Sequence, residues 1–126
     1  METTPRYSDE ELEEFRILIL EKLRKAQEDY DMLRSALSIA ANNEALDTSP
    51  TFKLMEEGTA TFTKEEAHRL AQRQLKFINH LERALQRIDL KTYGICRVTG
   101  QLISKDRLRA VPHATLSIEA KNSLNS

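Results

Sequence analysis

The chain has 126 residues, 31% of them charged and only 6% aromatic, with no Trp and a net charge of −1, a composition that is lean for a globular core and suits long helices with a narrow apolar seam. A single Cys excludes an internal disulfide framework and fits a reducing compartment. No apolar run is long enough to span a membrane, and the polar start Met1–Arg6 is not a signal peptide, so a cytoplasmic protein of one domain is expected.

The first predicted element opens at Ser8-Asp9-Glu10-Glu11, a capping box in which the Ser8 hydroxyl and the Glu11 carboxylate each satisfy the other's amide. Acids at Asp9, Glu10 and Glu11 also suit the positive end of a helix. Apolar residues follow at Leu12, Phe15, Ile19, Leu23, Ala26, Tyr30, Leu33 and Leu37, a near-heptad stripe that no Gly or Pro interrupts. Residues 38–62 form the connection, with a bend expected between Ala41 and Thr51. A connection of that length is too long for a simple turn and is often functional.

Thr63-Lys64-Glu65-Glu66 is a second capping box. Its stripe is Leu70, Gln74, Phe77, Leu81, Ala84 and Ile88, with one polar member, and it ends near Thr92-Tyr93-Gly94, where Gly can cap a helix. Two long amphipathic helices on one short chain bury their seams most easily on each other. The expected fold is therefore mainly α: a long antiparallel coiled-coil hairpin over residues 1–92, and a small lobe over residues 93–126. Within the lobe, residues 94–103 read as a small hairpin turning at Thr99-Gly100, and Ser104 as the cap of a short helix from Lys105 to Ala110. Pro112 breaks the chain before a last helix that begins around Thr115 to Ser117.

Tyr93-Gly94-Ile95-Cys96-Arg97-Val98-Thr99-Gly100 has the outline of half a four-cysteine zinc knuckle, and the second half falls about twenty residues later, around Ser117. Against a Cys-x-x-Cys…Cys-x-x-Cys template the ligand positions are Cys96, Thr99, Ser117 and Ala120. Structural zinc needs four N or S donors in a closed tetrahedron, so this set is expected to hold no metal. His113 could add one donor, which leaves the site two short. Zinc contributes on the order of 10 kcal/mol to the folding of a small finger. Its loss calls for packing instead, with Ile95, Val98, Leu102, Ile103, Leu108, Leu116 and Ile118 as candidates and Cys96 as a buried inert thiol.

On Tyr93-Gly94-x-Cys96, Gly100, Arg107-Leu108, Pro112 and Leu116-x-Ile118-x-x-Lys121, the tail resembles the C-terminal C4 zinc finger of the DksA/TraR family, and the long helices before it match that family's layout. The resemblance implies a regulator that binds RNA polymerase, not DNA, through the polymerase secondary channel, with acidic residues at the coiled-coil tip. Two stretches compete for the tip: Glu44-Ala45-Leu46-Asp47-Thr48-Ser49 by spelling, and Glu56 with Glu57 by distance from Cys96. Arg107, Arg109 and Lys121 become candidate contacts to the polymerase or to an anion. Some members bind the alarmone ppGpp between lobe and coiled coil. Arg107 and Lys121 match their positions, but Val111 replaces an arginine before the proline and His80 a base on the coiled coil, departures that count against it.

The charge balance is uneven: residues 1–37 carry 10 acids and 6 bases, whereas residues 91–126 carry 2 acids and 6 bases. Such asymmetry suggests a partner with its own charge pattern. His68, His80 and His113 form no His-Glu-x-x-His pattern and no Gly-rich phosphate loop is present, so an enzyme is not expected. The competing reading is a helical-hairpin adaptor or chaperone-like interaction protein without a polymerase role; a redox or metal sensor through Cys96 is a third, and a monomer is expected. Coiled-coil seams could also pair between chains.

Overall fold

The computed structural model describes residues 5–43 and 64–125. The helices are α1 (Asp9–Asn43), α2 (Lys64–Asp89), α3 (Lys105–Ala110) and α4 (Ile118–Asn125). Two compact units emerge: Met1–Leu23 with His80–Ser126, and Arg24–Asn79. The bend and both candidate tip stretches (Glu44 and Asp47, Glu56 and Glu57) lie outside the described residues, as does Thr63, the expected cap of α2.

In the unit Arg24–Asn79, Leu33 of α1 packs with Ala67 and Ala71 of α2, flanked by Tyr30, Leu37 and Leu70. Late α1 thus meets early α2, the antiparallel pairing expected of the seams. Over the first half of α2 the buried face is rotated from the expected stripe, whereas Leu81, Ala84 and Ile88 are buried as expected. Ala67, Ala71 and Ile78 are buried, while Leu70, Gln74 and Phe77 are only half-buried. Small side chains at the seam let two helices approach closely, and the larger neighbours then flank it. Gln74 keeps a buried Oε1 that has no hydrogen-bond partner among the described residues.

In the other unit, the start of α1 meets the end of α2. Asp9 pairs with Lys91 at 3.0 Å, and Arg16 pairs with Asp89. Leu12, Phe15, Ile19 and Leu23 of α1 are buried, as are Leu81, Ala84 and Ile88 of α2. The capping box of α1 is formed as expected: the Ser8 amide donates to Glu11 Oε1 at 3.0 Å and the Glu11 amide to Ser8 Oγ at 3.1 Å. Glu11 also pairs with Lys105 of α3. That ion pair, with the Ser8 hydrogen bonds, holds the Glu11 carboxyl down to about 2.

Helix α2 does not end on Gly94. The left-handed residue is Lys91, at φ 64°. The Thr92 amide donates to the Arg87 carbonyl at 2.9 Å and the Lys91 amide to the Ile88 carbonyl at 3.1 Å, the paired bonds of a Schellman motif. Gly94 is needed for another reason. At φ 79° it lies under the Tyr7 ring, where an added Cβ would stand 2.6 Å from Tyr7 Cε2. Tyr7, Phe15 and Tyr93 form a ring cluster there, with centroids 5.7 Å and 5.4 Å apart in successive pairs. The Tyr7 hydroxyl donates to the Ile103 carbonyl, and the Tyr93 hydroxyl to the Pro112 carbonyl at 2.8 Å.

The lobe follows the expected local order. Ile95 and Leu102 form an antiparallel bridge, and Ser104 caps α3 by accepting from the Arg107 amide. Its core differs from the expected set. Ile103 and Leu108 are buried, but Val98 is 52% and Ile118 50% exposed, and Leu102 also faces solvent. Tyr93, Cys96, Pro112, Ala114 and Ala120 fill the interior instead.

Substituting Gly94→Ala should destabilise the chain by about 2–4 kcal/mol, from left-handed strain plus overpacking against Tyr7. Urea unfolding followed by helical circular dichroism reads this directly; a loss below about 1 kcal/mol would mean that the ring moves aside freely.

Candidate functional site

The four former ligand positions do converge on one small region of the lobe, but each now does other work. Cys96 is 1% exposed. Its Sγ accepts from the Ser117 amide at 3.5 Å, which ties the two halves of the knuckle together without metal. The Thr99 hydroxyl also bonds the sulfur, and Thr99 Oγ1 accepts from the Gln101 amide at 3.2 Å. Ser117 Oγ accepts from the Ala120 amide at 3.1 Å, which makes Ser117 the N-cap of α4. Ala120 itself is buried, its methyl part of the lobe interior. Zinc does not fit this donor set. A thiol, two hydroxyls already engaged locally and a methyl group offer one good donor where four are needed. Among the described residues no group of three or more His, Cys, Asp or Glu is placed to hold a metal ion.

Cys96 is the buried thiol expected. Hydrogen bonds, first from the Thr99 side chain and then from the Ser117 amide, lower its pKa to about 6. These donors stabilise the thiolate as they would stabilise a metal-bound sulfur.

Beside the knuckle lies a cleft of about 580 Å³. Helix α2 contributes His80, Arg83 and Arg87 to its lining; the lobe contributes Arg97, Arg107, His113 and Lys121. Two of the sequence candidates, Arg107 and Lys121, are therefore brought together. Arg109 is not: it points away on the exposed face of α3 and pairs with Asp106 at 3.2 Å. Arg83, Arg87 and Arg97 were missed by motif reading, because each lies apart in sequence and only the docking of the lobe on α2 gathers them. Three of the arginines are positioned by hydrogen bonds to the lobe, two of them to backbone carbonyls. Arg107 Nε donates to the Leu116 carbonyl at 2.8 Å, Arg97 Nε to Thr115 Oγ1 at 3.4 Å, and Arg87 donates to the His113 carbonyl at 3.5 Å. His80 and His113 stack with centroids 5.4 Å apart. Burial first, then the neighbouring His80 and Arg87, pushes the His113 imidazole below its ordinary value.

Comparison with known proteins agrees with this architecture. The model of the prokaryotic DksA/TraR C4-type zinc finger matches residues 91–125. The RNA polymerase-binding transcription factor DksA of Caulobacter vibrioides is 32% identical over 124 residues, which cover 95% of this chain and 80% of that protein. General stress protein 16O of Bacillus subtilis is 44% identical over 46 residues, 36% of this chain and 28% of that one. The structure of transcription factor DksA2 from Pseudomonas aeruginosa superposes with a TM-score of 0.72 at 27% identity, covering 90% of this chain and 82% of that one. The Dks structure from Chlamydia trachomatis shares the fold at a TM-score of 0.52 and 23% identity, over 94% of this chain and 92% of that one.

Two outcomes follow from the knuckle. A chelator should leave the thermal midpoint unchanged, unlike zinc fingers, which unfold when stripped of metal; a fall in the midpoint would contradict the donor set. The second concerns pH. The folded pKa of Cys96 lies near 6, against 9.0 for an ordinary thiol, so its contribution is full above the unfolded value and is lost as pH falls from there through about 6. The stability advantage over Cys96→Ala should therefore grow from pH 6 to pH 9 in urea titrations, and a flat difference would exclude a hydrogen-bonded thiolate. With the spacing of the knuckle retained and its donors exchanged, the chain belongs to the DksA/TraR family.

Proposed function

We propose that this chain is a transcription regulator that binds RNA polymerase through the polymerase secondary channel. The observation that carries the reading is its likeness, over 95% of its length, to a protein named for binding RNA polymerase. A charged, helix-rich chain with a basic lobe fits such a role. In this reading the long helices place an acidic tip, from Glu44 and Asp47 or from Glu56 and Glu57, near the catalytic centre of the polymerase. Carboxylates there suit Mg²⁺ or arginine and lysine contacts, and so modulate initiation. The lobe docks at the channel rim, with Arg109 on its exposed face and Arg107 and Lys121 in the basic cleft. Recognition is of polymerase, with no sequence-specific DNA contact, no resident zinc and no catalytic step of the chain's own. No helix among the described residues is long and apolar enough to cross a membrane, and a monomer in the cytoplasm suffices for this role.

Core polymerase immobilised on resin should capture the chain, and a transcript-cleavage factor that uses the same channel should displace it. Replacing residues 44–57 by a short Gly-Ser turn should leave capture within about twofold while abolishing the change in promoter-complex lifetime. Paired substitutions, Glu44→Gln with Asp47→Asn against Glu56→Gln with Glu57→Gln, would then assign the tip. Absence of capture would sink the reading and favour the adaptor alternative.

A further inference from the structure

Helix α1 departs from its own pattern at one turn. Elsewhere a buried apolar stripe is backed by a polar outer face, but Ile17-Leu18-Ile19-Leu20 puts apolar residues at successive positions. At about 100° per residue such a run covers the whole circumference, so this turn is apolar on every side. A helix that is apolar all round is ordinarily enclosed. Here only the inner side is covered: Ile19 is fully buried and Leu18 half-buried, whereas Ile17 is 62% and Leu20 46% exposed. Ile17 stands two residues from both Phe15 and Ile19, about 160–200° round the helix from the buried stripe. Leu20, three residues on, is its neighbour on the outer surface.

The rim of this pair carries one sign of charge. Glu10, Glu13 and Glu14 precede Ile17 by seven, four and three residues and Glu21 follows by four, so all share its face, and all are exposed. Glu13 meets Arg16 on the flank at 3.5 Å, and Arg16 also pairs with Asp89. Glu10 and Glu14 enter no ion pair among the described residues, and Glu14 adds a longer-range attraction to Lys105. The next base on the face itself is Arg24, which Glu28 holds at 3.0 Å. An exposed apolar patch with a polar rim marks a protein contact, and the sign of the rim selects what covers it. A second copy using the same face would set these glutamates against themselves, and an anionic lipid surface carries the same sign as they do. We propose that the outer face of α1 from Glu10 to Glu21 is a docking surface for a basic amphipathic helix of another protein, whose apolar stripe covers Ile17 and Leu20 while its flanking lysines or arginines pair with the glutamates. No residue of α1 lines the basic cleft, so this surface is separate from it and does not depend on the polymerase reading.

The test uses the isotopically labelled full chain and a synthetic helical peptide of leucine and lysine with the leucines along one face. Amide shifts read by NMR during titration should cluster between Glu10 and Glu21. A control peptide with glutamine for every leucine keeps the charge and should bind at least about tenfold more weakly. Ile17→Ser combined with Leu20→Ser should weaken the leucine peptide by about tenfold or more, with helicity by circular dichroism unchanged because both side chains face solvent. Glu10→Gln combined with Glu14→Gln should weaken it by about threefold or more and make binding less sensitive to salt. Equal binding of the two peptides would reduce the face to bulk electrostatics and overturn the proposal. Shifts confined to other elements, or full affinity in the double serine variant, would overturn it too. So would a concentration-dependent dimer in sedimentation that the double serine variant loses, an outcome that makes a second copy of this chain the occupant.

Discussion

The contact between Tyr7 and Gly94 is where the unit formed by the ends of the long helices and the lobe is closed. Tyr7 precedes the first turn of α1, lies flat over a glycine that has no Cβ to hold it off, and donates its hydroxyl to Ile103 beyond the knuckle turn. Phe15 and Tyr93 continue the ring cluster inward, and the Tyr93 hydroxyl reaches the carbonyl of Pro112. One aromatic group thus links α1, the end of α2 and both sides of the lobe. Aromatic pairs contribute about 0.5–1.5 kcal/mol beyond their burial. A buried hydroxyl without its acceptor would cost about 1–3 kcal/mol. Both considerations favour one seating of the lobe over many.

That closure changes what the knuckle has to do. In a zinc finger the metal joins two loops that could not hold together otherwise. Here the same two loops are joined by an amide-to-sulfur bond from Ser117 to Cys96, by backbone bonds such as Arg97 to Thr115 at 3.0 Å, and by the buried methyl of Ala120. The replacements are chemically coherent. Ser117 Oγ caps α4, Thr99 Oγ1 accepts from the Gln101 amide and Cys96 Sγ accepts from the Ser117 amide, so three of the four former ligand positions satisfy nearby backbone amides. The retained frame also sets Arg97 and Lys121 on the rim of the basic cleft. The exchanged donors of the knuckle and the gathering of cations are therefore separate features of one lobe.

The seam between the long helices shows a different balance. Ala67, Ala71 and Ala84 sit at buried positions of α2, where small side chains allow close approach, and larger residues flank the contact. Gln74 keeps a polar atom buried in that region. Leaving it unpaired is costly, and a polar residue in an apolar seam disfavours registers that would bury it more deeply.

The amino-acid sequence by itself determined the helices, because capping and apolar period are local. Ser8 with Glu11, the stripe from Leu12 to Leu33, and Ser104 before α3 were all legible for that reason. The knuckle outline and its missing donors were equally legible, since ligand chemistry depends on residue type and spacing. Tertiary structure decided what depends on distant segments. It set the buried face of the first half of α2 by packing Ala67 and Ala71, and it placed the left-handed helix end at Lys91 while Gly94 lies beneath Tyr7. It also left Val98 and Ile118 at the surface, with Tyr93, Pro112 and Ala114 filling the lobe interior. Arg83, Arg87 and Arg97 became one site with Arg107 and Lys121 only when the lobe docked on α2. Charge clusters of that kind are products of docking geometry, which no local pattern in the chain encodes.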